Sequence, residues 1–483
     1  MSLEMRVDGP PARLGMDRSV WAATPLVARA QVLARSAMLL AAEADALAGE
    51  LRVAGGRADD EIWSAEIVPT LEALRWLARE GARTLQPRRL GPPRLQWYFR
   101  STRHELHWEP HGVAAVITPS SSLLFLALPQ VAAALLAGNA VRWKPAPAGA
   151  AVARRVASIL ARAGLPPATL EVVEGGAEAA RGIVRRGADL LHFTGSARAG
   201  RELARLHAAR ARPAVLELAG PHTALVLDDA DPALAGRGIA WGKLANGGRN
   251  CLSVQLVLAE RSVAPAVLDA LVVALSALAP DGGGPPRDAA EAARLAAIVE
   301  DAQRHGAQLV HGTPGDVVVL AGVRRGMRVV DEEVGGPLLG VVTVASAHEA
   351  VRWINAAPAR LSASIWTGRP RRGHALARRL DVGQVWINEQ LHPAAHPEVP
   401  LAGRGASGFG ASRGVAGLMA MVTPKVISTT PLRAPRRHYA RGGAATIDLF
   451  RATVAVAFAQ GPRRLTALAG AARVLARLAR GSR

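Results

Sequence analysis

The sequence predicts an α/β protein of two open, doubly wound domains, and three features of its 483 residues carry that expectation. The chain is too long for one compact core, so two or more domains are the default. From Gly112 onward, short apolar runs alternate with helix-length amphipathic stretches, the pattern of a parallel sheet with helical crossovers. The alternation closes near Gly220 and then restarts, which marks a second α/β unit with its own core.

In chain order, the apolar spacing of residues 28–51 and 61–80 predicts two surface-packed helices, ended by Pro87 and by Gly91-Pro92-Pro93. Residues 95–109 alternate charged and bulky side chains and read as an exposed β-strand arm. Strands are expected at 113–117, 140–143, 170–173, 190–193 and 215–218, with helices at 124–136, at 149–163 and from Ala199. In the second unit, strands are expected at 224–227, 255–258 and 317–320, and helices at 234–245, 265–278 and 288–305. The division that follows is a dinucleotide-binding domain at 1–219 that includes the arm, a catalytic domain at 220–395, a closing segment at 396–430 and a basic amphipathic tail at 431–483.

Composition narrows the function. One cysteine excludes an internal disulfide. Charges at Glu4, Arg6 and Asp8 leave no room for the apolar run of a signal peptide, so a cytoplasmic chain is expected. Residues 112–141 carry no charge, but Pro119, Pro129 and Gly138-Asn139 break them into strand, helix and strand instead of a membrane span. The net charge of +20 is concentrated in the tail, where eleven arginines face the single acid Asp448. Aromatic residues make up only 4% of the chain, too few for base-stacking platforms, so nucleic acid is not an expected partner. In the tail, Leu465, Leu468, Ala472, Leu475 and Ala479 share one helical side and Arg473, Arg477 and Arg480 the other. Such a helix fits peripheral contact with an anionic membrane, or packing on a partner subunit or the protein's own surface.

Three clusters can carry chemistry. Phe193-Thr194-Gly195-Ser196, with Gly200 behind it, joins a strand to a helix whose first turn favours a phosphate; an ordinary strand-to-helix turn has the same composition. Glu217 ends a buried strand, where a carboxylate is unfavourable unless paired or engaged in proton transfer. Cys251 follows the polar, glycine-rich turn Asn246-Gly247-Gly248-Arg249-Asn250, a setting more typical of a reactive thiol than of a core one. The G-x-G-x-x-G match at Gly403–Gly408 neither follows a strand nor opens a helix and is not read as a dinucleotide motif. No His, Cys and carboxylate cluster points to a metal.

Taken together, these motifs resemble the aldehyde dehydrogenase superfamily. Residues 216–220 and 248–251 are similar to its glutamate and cysteine signatures, with Glu217 and Cys251 34 residues apart. Val116-Ile-Thr118-Pro119, Ala137-Gly-Asn-Ala140 and Lys144-Pro145 resemble its first nucleotide-binding stretch, and residues 193–196 its pyrophosphate turn. Glu332-Glu333-Val334-Gly335-Gly336-Pro337 resembles its E-E-x-F-G-P motif, and residues 400–410 with Pro424-Lys425 its closing segment. The likeness spans about residues 20 to 430, and the layout is most similar to the fatty-aldehyde and class 3 branch. It implies an NAD- or NADP-dependent enzyme that oxidises an aldehyde without a metal, assembled as a homodimer or homotetramer. By the same resemblance, Cys251 is the nucleophile, Glu217 activates water, and the Cys251 N–H helps hold the oxyanion. Thr118, Lys144, Gly195, Ser196, Gly200 and Glu333 fall on cofactor-binding positions, with Lys144 and Glu333 at the two riboses.

The sequence also departs from the pattern. Ser121 stands where the family has the asparagine of its oxyanion hole, Gly335 replaces an aromatic, and Arg249 replaces a glutamine. Pro147 stands in place of an acid that would repel a 2′-phosphate, and Arg154 and Arg155 on the next helix could add favourable charge. These changes leave two other functions open: an acyl-transferring enzyme that uses coenzyme A, and a weakly active or inactive member serving as a binding or scaffold protein.

Overall fold

The computed structural model describes residues 18–91, 101–279, 288–313, 316–433 and 443–480. The chain separates into two units, one of Met1–Leu85 with Glu109–Thr423 and the other of Gln86–Trp108 with Pro424–Arg483.

The first unit holds two large sheets. Five parallel strands of the first run in the order Ala214–Leu218, Leu190–Gly195, Val113–Ile117, Ala140–Lys144 and Leu170–Val172. The first strand in sequence therefore lies in the middle, and the order reverses between Val113–Ile117 and Leu190–Gly195. Gly408–Phe409, from the closing segment, adds an antiparallel edge to Ala214–Leu218, with Gly408 opposite Glu217. The second sheet has seven strands, in the order Gln308–His311, Val318–Ala321, Leu338–Val344, Val254–Glu260, His222–Val226, Ser362–Trp366 and Gln384–Ile387. All of its pairings are parallel except the first.

Alternation along these strands buries both faces of the second sheet. Leu225, Leu258 and Ile365 pack under the helices Ala289–Arg304 and Ala347–Asn355. Their neighbours Ala224, Val226, Val257 and Ala259 pack under Pro232–Leu244 and Ala264–Leu278. Coverage on both sides explains the near-continuous apolar runs that marked these strands in the sequence.

Several expectations shift. Residues 28–51 form two helices, Leu26–Ala42 and Ala44–Gly55, and residues 59–84 a helical run interrupted by π turns at Trp63–Ile67 and Leu77–Gly81. These helices are more than surface cover, since Leu33, Leu47 and Leu74 are buried. The helix expected from residue 124 begins at Leu128, because the N–H groups of Leu123, Leu124 and Phe125 donate to the Glu66 carboxylate. A helix at Ala177–Arg185 was not foreseen. Within residues 112–141, strand, turn, helix and strand follow one another as expected. No helix among the described residues is long and apolar enough to cross a membrane.

In the second unit, Arg88–Leu90, Arg103–Pro110 and Val422–Thr429 form a three-stranded sheet. Part of the expected arm, residues 95–100, lies outside the described residues. The tail folds as two helices, Ala444–Phe458 and Arg463–Arg480. Ile447, Phe450, Val454 and Phe458 on the first, and Leu465, Leu468 and Leu475 on the second, leave apolar stripes exposed.

Candidate active site

A cleft of about 600 Å³ opens in the first unit and is lined by Thr118, Lys144, Gly195, Ser196, Glu217, Cys251 and Glu333, among others. It includes the carboxyl ends of Val113–Ile117 and Leu190–Gly195, the point where the strand order reverses. In open α/β sheets, crevices at this point take nucleotides. The Thr118 hydroxyl accepts from the Trp143 indole at 3.1 Å. Lys144 is buried at the end of its strand, and burial pulls its ammonium below the usual lysine range. A Cβ on Gly195 would lie 2.7 Å from the Phe193 ring, so a larger residue there would push that ring aside. Ser196 caps the helix Ala197–Ala208, whose first-turn N–H groups favour an anion. These features fit a dinucleotide.

Gly200 does not line this cleft. It is buried beneath Leu218, whose Cδ2 lies 2.2 Å from where a Cβ would stand, and it serves close packing of helix on sheet. Pro147 lines the cleft, whereas Arg154 and Arg155 are drawn away into ion pairs with Glu174 and with Glu43 and Glu50. The arginine on this wall is Arg181, paired with Glu202 at 2.5 Å.

Cys251 owes its place to the turn before it. Asn246, Gly247 and Gly248 have φ of 53°, 56° and 73°, three left-handed residues in succession. A Cβ on Gly248 would meet the Gly336 carbonyl oxygen at 2.4 Å. The chain can therefore pass against the Glu332–Pro337 loop only through a glycine. That loop is held in turn by buried Gln255, whose amide donates to the carbonyls of Val329 and Glu332 and accepts from Val334 N–H. Gly335, where the family has an aromatic, has φ of 51° and open space around its Cα. Arg249 forms a two-nitrogen ion pair with Glu291.

Half-buried Cys251 packs against an apolar cluster of Leu252, Leu361, Trp386, Leu391 and Leu401. Burial and the facing carboxylates of Glu217 and Glu333 push its thiol up to about 12, so the resting group is a neutral thiol. Glu217 is 4% exposed, and its carboxylate accepts from Thr194 Oγ1 at 2.9 Å and from Ser412 Oγ. Desolvation pushes Glu217 up to about 7, against the opposing pull of the Arg413 guanidinium and the Thr194 hydroxyl. A carboxyl group near 7 is suited to proton transfer at neutral pH.

A second cavity of about 410 Å³ meets the first at Ser121, Asn250, Cys251 and Leu401. Its walls include Phe125, Leu126, Trp241, Leu244, Leu278 and Leu391. Cys251 thus sits where the two cavities join, the second of which also carries Arg57, Asp60, Glu61 and Arg413 in its lining. Two carboxylates of one helical run hold the loops at this seam. Glu66, fully buried in a π turn, accepts from Ser122 Oγ at 2.9 Å, from the N–H groups of Leu123, Leu124 and Phe125, and from Arg57. Glu61 accepts from Asn246 N–H at 2.6 Å, and the Asn246 amide donates to the Ser121 carbonyl. The same run therefore registers the Ser121 loop against the turn before Cys251.

The sequence reading did not single out Glu61, Glu66, Gln255, Ser412 or Arg413. The one local signal was Glu66, an acid between apolar neighbours Ala65 and Ile67. The others depend on long-range contacts that no spacing rule reveals.

The sequence model of the aldehyde dehydrogenase family matches residues 12–427. A 4,4′-diapolycopene aldehyde oxidase of Methylomonas sp is 30% identical over 427 residues, covering 86% of this chain and 80% of its own length. The benzaldehyde dehydrogenase [NAD(+)] of Pseudomonas putida is 33% identical over 409 residues, covering 81% of each chain. Among solved structures, a Mycobacterium tuberculosis aldehyde dehydrogenase complexed with NAD+ superposes with a TM-score of 0.80 at 27% identity, over 86% of this chain and 88% of that one. An NADP-dependent glyceraldehyde-3-phosphate dehydrogenase from Bacillus halodurans C-125, complexed with NADP, gives 0.78 at 28% identity over the same shares.

The Glu66 brace makes a test. Glu66→Ala strands a buried guanidinium and several N–H donors, so the chain should lose roughly 3–5 kcal/mol in chemical denaturation. In the folded fraction, turnover should fall far more than dinucleotide affinity, because the freed loop carries Ser121. A loss below about 1 kcal/mol, within the range of a surface change, would show the brace to be dispensable.

Proposed function

The chain belongs to the aldehyde dehydrogenase family and oxidises aldehydes with NAD or NADP, and we infer that Cys251 is its nucleophile and Glu217 its general base. The observation that carries this reading is the position of Cys251 at the seam of the two cavities, beside a carboxyl group pushed up to about 7. Cys251 gives its proton to Glu217, and the resulting thiolate attacks the aldehyde carbon from the side of the second cavity. The carbonyl oxygen gains the displaced electron pair and is held by the Cys251 N–H, with the Ser121 hydroxyl as the second donor. A dinucleotide bound in the polar cleft supplies the hydride acceptor, held by Thr118, Lys144, Gly195, Ser196 and Glu333. Loss of the carbon's hydride to that acceptor leaves a thioester on Cys251. Glu217 passes the thiol's proton to solvent and, again a carboxylate, takes a proton from water, whose oxygen attacks the thioester. The carbon–sulfur bond breaks, and the carboxylic acid and the free thiol are released. A dedicated base beside the thiol favours hydrolysis over transfer to coenzyme A.

The substrate class follows from the second cavity. Phe125, Leu126, Trp241, Leu244, Leu278 and Leu391 give this cavity an apolar side, with Arg57, Glu61 and Arg413 held there by partners of their own, and that side fits a bulky apolar or aromatic aldehyde. Two relatives bear the names of such aldehydes, a diapolycopene aldehyde and benzaldehyde. Pro147 stands where an acid would repel a 2′-phosphate, and the cleft's Glu202 is paired with Arg181, so NADP is accepted comparably to NAD.

In the second unit, the exposed strand Val422–Thr429 offers an edge to a second copy of the chain. The exposed apolar stripes of the two tail helices, with Arg451, Arg463, Arg464 and Arg473, fit peripheral contact with an anionic membrane.

Cys251→Ala should abolish cofactor reduction while dinucleotide binding persists, and alkylation of the single thiol should inactivate the enzyme stoichiometrically. kcat/KM should climb as pH rises through about 7, where Glu217 gives up its proton. In Glu217→Gln that limb should vanish. Because the folded carboxyl sits above its ordinary 4.5, its stabilising contribution is complete below 4.5 and is lost as pH rises to about 7. Glu217→Gln should therefore gain on the natural chain by as much as a few kcal/mol across that window in denaturation midpoints. An unchanged pH–rate limb in a folded Glu217→Gln protein would remove the base assignment.

Sedimentation with acidic vesicles at moderate salt tests the tail. The full chain should pellet, and a version ending at Thr430 should stay in solution. Equal behaviour of the two would mean that the stripes pack against protein instead.

A further inference from the structure

Arg413 has no role in the steps above, yet four features single it out. It lies in the closing segment with φ of 61° and ψ of 168°, a region that is essentially glycine's own, and it is followed by Gly414. A side chain kept at such a position imposes backbone strain, and strain of this kind gathers at functional sites. The residue is 7% exposed, and its guanidinium stacks over Phe125 at 5.2 Å and donates to the Ala394 carbonyl. Its Nε has no hydrogen-bond partner. Finally, it lines the same second cavity as Cys251.

We propose that Arg413 is a positioning residue for the thiol: its buried guanidinium, fixed over Phe125 and facing the cavity onto which Cys251 opens, stabilises the thiolate in which attack on the aldehyde begins. This rests on Cys251 being the nucleophile. The charged groups that face Cys251 are Glu217 on strand Ala214–Leu218, Glu333 on the Glu332–Pro337 loop and Arg413 on the closing segment. The two acids oppose ionisation of the thiol and Arg413 alone favours it. The same guanidinium also draws Glu217 toward its charged, proton-accepting form. One cation thus acts on both partners of the proton transfer. The fixed charge also supplies electrostatic support in a site where Ser121 brings a shorter donor than an amide. Phe125 and the Ala394 carbonyl hold the guanidinium in place without neutralising it, so its charge remains available to the cavity.

The test reads the thiol directly. In the full-length protein, the rate of Cys251 alkylation by iodoacetamide is measured against pH for the natural chain and for Arg413→Met, Arg413→Gly and Arg413→Lys. Arg413→Gly suits the backbone and keeps the test valid should Arg413→Met fail to fold. Both neutral variants should react about tenfold more slowly near pH 8, with the profile moved up by about one pH unit. Arg413→Lys should recover most of the rate. Profiles for folded Arg413→Gly and Arg413→Met that superimpose on the natural one would overturn the proposal, as would an Arg413→Lys as slow as Arg413→Met. Turnover by fully alkylated natural enzyme would instead displace Cys251 as nucleophile, and that result is read separately from the alkylation profile.

Discussion

The close approach of Gly248 to the Gly336 carbonyl sets the geometry of the whole site. Three consecutive left-handed residues, Asn246, Gly247 and Gly248, carry the chain across the Glu332–Pro337 loop where any Cβ would collide with backbone. That crossing places Cys251 where the two cavities join and brings Glu333 to the same cleft. Glu61 holds Asn246 from one side and Gln255 holds the crossed loop from the other. A nucleophile fixed in this way requires little reorganisation when a substrate arrives, and that is how a rigid frame lowers a barrier.

Burial then sets the chemistry. Burial raises both the thiol and the Glu217 carboxyl, so the resting pair is largely neutral. Thr194 and Ser412 keep the carboxyl hydrogen-bonded on both oxygens, which aims it while leaving proton transfer open. Two of the buried charges build the frame: Glu66 is matched by Arg57 and by loop donors, and Arg249 by Glu291. Charge is neutralised where it builds the frame and left available where it acts.

Much of this was legible in the sequence. The strands Val113–Ile117, Ala140–Lys144 and Leu190–Gly195 are buried on both faces, so their composition alone betrays them. The glycines of the cysteine turn and of the pyrophosphate turn are forced by geometry, and forced residues leave clear marks in a sequence. Gly200 was read as a cofactor contact because small residues at such turns serve either a ligand or close packing, and only coordinates separate the two. The start of the helix at Leu128 was misplaced because Glu66, more than fifty positions earlier, takes the N–H groups that would have begun it. Arg154 and Arg155 looked free because their partners Glu174, Glu43 and Glu50 are remote in sequence. What remained hidden is of one kind: polar side chains whose meaning depends on a partner brought in by the fold.

The most direct test of this account is to catch the covalent intermediate. Glu217→Gln, which keeps the shape of the site but has no base to activate water, is mixed with an apolar aldehyde and NAD or NADP. The protein is then quenched and digested, and its peptides are weighed by mass spectrometry. Because Glu217 also takes the thiol's proton, the account predicts an acyl adduct on the peptide carrying Cys251 that forms more slowly than in the natural chain, with one equivalent of reduced cofactor, and then persists because no base activates water. Continued turnover by Glu217→Gln with Cys251 unmodified would contradict it.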